Sequence, residues 1–136
     1  MKIRCPQARI IGTSVIEGSQ LLFKGSRTGY YLTVEPKENC RVPIAVWEAT
    51  QSDELSLDRY EGFPSFYYKK DMVLPVKGIK TGKVRKREVF LYIMHEHRPT
   101  GKPSSLYLRT CFEGYRNFGF DNSPLIKACL NCGGSI

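Results

Sequence analysis

In SLDRYEGFPSFYYKK, residues 56 to 70, the carboxylates of Asp58 and Glu61 stand three positions apart, and Tyr60, Phe63, Phe66, Tyr67 and Tyr68 crowd the second of them. A carboxylate lodged among rings and away from bulk water has its charged form disfavoured. It can then take up and return a proton near neutral pH, as a general acid/base must. Spacing does not say whether the rings enclose Glu61 or point elsewhere from a helix-to-loop turn, and a surface glutamate beside a core edge satisfies the same pattern. Asp58 lies one helical turn earlier, so the two acids could share a face as a catalytic pair. The preferred reading of Asp58 is structural, as an acceptor for backbone N–H groups, for Arg59 or for another cation.

Three further groupings have a chemical reading and a plainer one. His95 and His97 of HEH would project to one face of a strand, as metal ligands do, but a third ligand at suitable spacing is missing and an exposed strand end is the plainer reading. Cys129 and Cys132 in CLNC have metal or redox spacing without a second pair. Basic and aromatic residues alternate in FYYKK and KVRKREVFLY, as in barrels that stack and neutralise single-stranded nucleic acid. Lys83, Arg85 and Arg87 would equally form one solvated strand face.

The elements that must position these residues can be read from patterning. IIGTSVIEGSQLLF, residues 10 to 23, is apolar and β-branched but broken at Glu17, Gly18 and Ser19, which predicts two strands joined by a tight turn. After the loop GSRTG, YYLTVEP predicts a strand ended by Pro36, and Val42 to Ala49 another. Thr50 followed by Asp53 marks the capped start of a short helix that Gly62 and Pro64 end. YYKKDMVLPV and VRKREVFLYIMHE predict a hairpin around KGIKTGK. Leu108, Cys111, Phe112, Tyr115 and Phe118 recur at helical spacing, and Ser123 as N-cap with Pro124 opens a last helix stopped by Gly133 and Gly134. The order of elements is that of an α+β fold, with the sheet expected to curl into a small barrel and the helices outside.

A chain of 136 residues with 41% hydrophobic content is long enough to bury one core, and nothing in it divides the chain, so a single domain over residues 1–136 is expected. A net charge of +8 raises the prior for acidic ligands, though a solvated basic surface accounts for it as well. No apolar run reaches the length of a signal-peptide core or a membrane span, so no membrane partner is expected. Five cysteines, an odd number, fit reduced thiols in a cytoplasmic protein.

Seven segments in order, RCPQARIIG, LLFKG, TVEP, PIAVWEAT, SLDRYEGFPSFYYKK, VFLYIM and CFEGYRNFGFDNSPLIKACL, resemble the γ-glutamylcyclotransferase-like family, which includes the AIG2-like proteins. The LD-x-YEG-x-P-x-x-Y element is the most specific part, and EGY-x-x-x-GFD supports it. The resemblance implies a small mixed β-barrel with flanking helices and a cavity at one barrel mouth. It also implies release of 5-oxoproline from a γ-glutamyl amide or peptide by intramolecular aminolysis. Glu61 would be the acid/base and Tyr67 a substrate contact lining the cavity. The substrate's own α-amine is the nucleophile, so the reaction calls for no cofactor and no metal. The leaving amine stays open: an amino acid, a polyamine, an amine on a carrier protein or a modified lysine all satisfy the chemistry.

Family members begin with a strand and a Y-G-S-N loop that binds the γ-glutamyl group, whereas this chain passes from Met1 directly to KIRCP. The expectation is an N-terminally incomplete domain, impaired as it stands because positioning contributes on the order of 7 to 11 kcal/mol at best. A barrel missing its first strand would expose an edge open to homodimerisation. Two alternatives remain: a non-catalytic module sensing a small amino-acid-like molecule on the same fold, and, ranked lower, a basic barrel binding nucleic acid.

Overall fold

The computed structural model describes residues 9–26 and 29–132. Cys5, most of the RCPQARIIG segment, the middle of the GSRTG loop and the Gly133–Gly134 helix stop lie outside them. The elements are β1 (Arg9–Ser26), β2 (Gly29–Glu48), α1 (Gln51–Tyr60), β3 (Tyr67–Gly78), β4 (Val84–Met94), α2 (Ser105–Asn117) and α3 (Ser123–Leu130). The fold is α+β, as the patterning predicts.

The four strands form one antiparallel sheet in the order β2-β1-β3-β4. Among the described residues this sheet is open, with β2 and β4 as its edges, and is not closed into the expected barrel. The exposed start of β4, residues 84–88, carries the charged run VRKRE, which discourages edge-to-edge pairing. Lys83, Arg85 and Arg87 are all solvent-exposed.

Two strand boundaries differ from expectation. The segment of residues 10–23 is not a pair of strands but part of β1, and Gly18 takes the left-handed value φ 65 within it. Residues expected on either side of Pro36 likewise belong to one element, β2, with Asn39 at φ 62. Single left-handed residues of this kind kink a strand without ending its ladder, and Pro36 is tolerated because β2 is an edge strand, where a missing N–H leaves no partner unpaired.

The described chain forms two compact units. In the first, residues 9–15 and 44–93, β1 meets β3 with Gly12 opposite Gly78 and Thr13 opposite Lys77. The buried Ser14 hydroxyl donates to the Pro75 carbonyl at 2.7 Å. Val46, Leu57, Leu74, Val76 and Ile93 are buried, and Leu57 packs α1 against Trp47 and Tyr92.

In the second unit, residues 16–43 and 94–132, Phe23, Val42, Met94 and Leu125 are the largest fully buried side chains. Lys24 is also buried there, satisfied by an ion pair with Glu35 and by the Glu96 carbonyl at 3.0 Å. The predicted apolar stripe of α2, from Leu108 to Tyr115, is half-buried. Asn122, not Ser123, caps α3, because Ser123 already has helical backbone and its N–H and hydroxyl both donate to Asp121. The Cys132 thiol donates to the Cys129 carbonyl at 2.9 Å, which gives the CLNC spacing a local structural use. No helix among the described residues is long and apolar enough to cross a membrane.

Candidate active site

The first unit positions Glu61 by purely local means. At the start of α1, the Thr50 hydroxyl accepts from the Asp53 N–H and the Asp53 carboxylate accepts from the Thr50 N–H, both at 3.1 Å, a reciprocal capping box. At its end the Phe63 N–H donates to the Asp58 carbonyl at 2.9 Å and the Gly62 N–H to the Arg59 carbonyl at 3.3 Å. These are the two bonds of a Schellman motif, which needs a left-handed residue after the cap. Gly62 supplies it at φ 66, and a Cβ there would also meet the Phe66 Cβ at 3.2 Å. Glu61 is the C-cap itself, half-buried, with its N–H bonded to the Leu57 carbonyl at 2.8 Å. The pairing of Glu and Gly in YEG is therefore a geometric unit: glycine turns the chain and leaves the glutamate at the helix end.

Beside this turn lies a polar cluster that sequence spacing only half reveals. Lys69, near the start of β3, puts its Nζ 2.6 Å from Glu54 Oε2 and 3.0 Å from Asp58 Oδ1. Tyr92, from β4, donates its hydroxyl to Asp58 Oδ1 at 2.5 Å. Burial pushes the Asp58 carboxyl up, but the bonds from Tyr92 and Lys69, with the lysine charge, outweigh it and hold Asp58 below its ordinary range. The Glu54 bond, assisted by Asp58 and opposed by burial, raises the Lys69 ammonium. Burial first, and then the Asp58 bond, raises Tyr92 far above an ordinary phenol, and the charge of Glu61 adds to that rise. Three carboxylates, Glu54, Asp58 and Glu61, thus bear on Tyr92, and two of them share the one ammonium of Lys69.

The structural reading of Asp58 is the one its contacts support: it accepts from a cation, although that cation is Lys69 and not Arg59. The rings do not form a uniform wall around Glu61. Tyr60 and Phe63 are 57% and 39% exposed, and Phe63 instead covers the Lys69 ammonium at 4.6 Å from its ring centre. Tyr67 opens β3, is 7% exposed and leans on Phe66 with ring centres 5.2 Å apart. The Phe90 ring centre stands 5.6 Å from the Lys69 ammonium, and Phe90 borders a surface depression of about 460 Å³ lined also by Asp71, Met72, Val73, Glu88 and Val89.

Glu54, Lys69 and Tyr92 escaped the sequence reading. The four-residue spacing of Glu54 and Asp58 on one helix face was the available signal; nothing local points to Tyr92. In the second unit, His95 and His97 follow the end of β4 with ring centres 6.1 Å apart. No group of three or more His, Cys, Asp or Glu among the described residues is arranged to hold a metal.

The family model described as gamma-glutamyl cyclotransferase, AIG2-like, matches residues 1–110. The chain belongs to this family. Among solved structures, an uncharacterized protein from Homo sapiens superposes with a TM-score of 0.68 at 22% identity, covering 98% of this chain and 80% of that one. A gamma-glutamyl cyclotransferase superposes at 0.67 and 21% identity, covering 99% and 83%. YkqA from Bacillus subtilis gives 0.64 at 16%, covering 93% of this chain and 46% of its own. At these identities the likeness shows a shared fold. No curated protein matches the chain.

Proposed function

We propose that the chain acts as a γ-glutamylcyclotransferase-like enzyme, releasing 5-oxoproline from a γ-glutamyl amide or peptide with Glu61 as general acid/base. The observation that carries this reading is the placement of Glu61 at the cap of α1 by the YEG turn, within a cluster of net negative charge. A protein of +8 overall has here three carboxylates for one lysine, a local field that draws in a substrate ammonium. The negative end of the α1 dipole acts in the same sense.

In this reading Glu61 takes a proton from the α-ammonium, and the freed amine attacks the γ-carbonyl carbon. A carbon–nitrogen bond forms to close the five-membered lactam, and the original amide bond breaks as Glu61 returns the first proton to the leaving nitrogen; the second proton shed by the attacking nitrogen ends on the same leaving amine, which departs as an ammonium. Tyr67, 7% exposed, is the proposed substrate contact.

The test is 5-oxoproline release from γ-glutamyl dipeptides and γ-glutamyl amines by the wild type and by Glu61→Gln. Loss of the acid/base should lower kcat by about 10²- to 10⁴-fold with folding intact. Full activity in the glutamine variant would reject the mechanism.

A further inference from the structure

We propose that Lys69 is a positioning residue, which clamps the turn carrying Glu61 by gripping Glu54 and Asp58 of α1 together with the ring of Phe63. The inference rests on the reading of Glu61 as acid/base and adds to it the group that holds the acid in place.

Lysines usually extend their ammonium into water. The Lys69 side chain is only 19% exposed, and its ammonium is surrounded by protein partners: Glu54 at 2.6 Å, Asp58 at 3.0 Å and the faces of Phe63 and Phe90. Two of these partners bracket Glu61 in sequence. Asp58 precedes it and Phe63 follows it, and the two are joined to each other by the Phe63 N–H to Asp58 carbonyl bond. One ammonium therefore holds both ends of the loop that presents the acid, and it does so from β3, a different element. Tyr92 fixes the remaining side of the Asp58 carboxylate from β4. The Glu61 N–H itself bonds within its own helix, to the Leu57 carbonyl. Without the lysine, Asp58 and Glu54 repel one another across a helical turn, and Phe63 loses the cation that seats its ring. The turn then keeps the Tyr92 bond on Asp58 but loses the lysine's tie to β3, and a displacement of the acid on the order of 1 Å is enough to slow proton transfer about a hundredfold.

The test compares Lys69→Met, Lys69→Arg and Phe63→Leu with the wild type by amide hydrogen exchange and by steady-state kinetics on γ-glutamyl amides. Lys69→Met should lower protection of the Phe63 and Phe66 amides by about tenfold while the Ile79 amide, bonded to Ile11 across β1 and β3, is unchanged. It should lower kcat by about 10- to 100-fold with KM within about threefold, the signature of a misplaced acid and not of lost binding. Lys69→Arg, which keeps the charge, should recover most of both. Phe63→Leu should shift both readouts in the same direction by a smaller amount, and it decides the matter if the methionine variant does not fold. Wild-type protection of the turn in the methionine and leucine variants, or loosened turns with wild-type kcat, would overturn the proposal. A wild type that releases no 5-oxoproline would reject the Glu61 reaction instead, and the exchange data alone would then judge the clamp.

Discussion

Replacing Tyr92 by Phe removes one hydroxyl and leaves the ring packed on Leu57 and edge-on to Phe90. The hydroxyl donates to a carboxylate whose side chain is 18% exposed, so a charge-assisted bond is lost where water replaces it poorly. Such bonds contribute roughly 1.5 to 3 kcal/mol, and because Lys69 still pairs with Asp58 the expected loss is about 2 kcal/mol at pH 7. For a chain of this size that corresponds to roughly 6 to 10 °C in Tm. The pH dependence has a definite sign. Asp58 is held below its ordinary 3.8, so its contribution is fully present above that value and is lost as pH falls through the lower folded-state value. Tyr92→Phe weakens one of the causes of that depression, so the gap between wild type and variant should narrow as pH falls below 3.8. Urea unfolding at pH 7 and at steps down through that range measures both quantities. A difference below about 0.5 kcal/mol at pH 7 would mean that the bond contributes nothing net, and a gap independent of pH would show that Asp58 is not its acceptor.

The remaining expectations can be measured with the same preparations. Gly62→Ala places a Cβ at φ 66 and 3.2 Å from Phe66, and should cost about 1 to 2 kcal/mol in urea unfolding and lower kcat as well; an unchanged midpoint would show that the turn adapts freely. Lys24→Met leaves Glu35 without its ion-pair partner in the second unit and should destabilise by about 3 to 5 kcal/mol, whereas Lys24→Met with Glu35→Gln should cost much less; equal costs would refute the pairing argument.

The first and last turns of α1 were legible in residues 50 to 64, because a capping box and a Schellman turn are made of bonds between residues at most five apart in the chain. The β3–β4 hairpin and the amphipathic α2 were legible for a similar reason, since periodicity reports which face of a single element is apolar. Glycine and proline within the first two strands misled, because the same residue types that end a strand also kink one or sit at its edge, and only pairing with neighbours distinguishes these outcomes. The openness of the sheet has the same origin: strand order is a matter of which edges meet, and no stretch of sequence records it.

Composition and motif therefore determine that a glutamate stands at a helix end, as the middle residue of YEG, and that the chain carries the family's pattern. What surrounds that glutamate was decided by folding. Lys69 reaches Glu54 across 15 positions, and Tyr92 reaches Asp58 across 34. A lysine in FYYKK or a tyrosine in VFLYIM looks like any other solvated or core-facing strand residue until the backbone brings it within hydrogen-bond distance of a carboxylate. The charge balance of the cluster is a sum over α1 and β3, with a neutral hydroxyl added from β4, and a sum of that kind exists only in three dimensions.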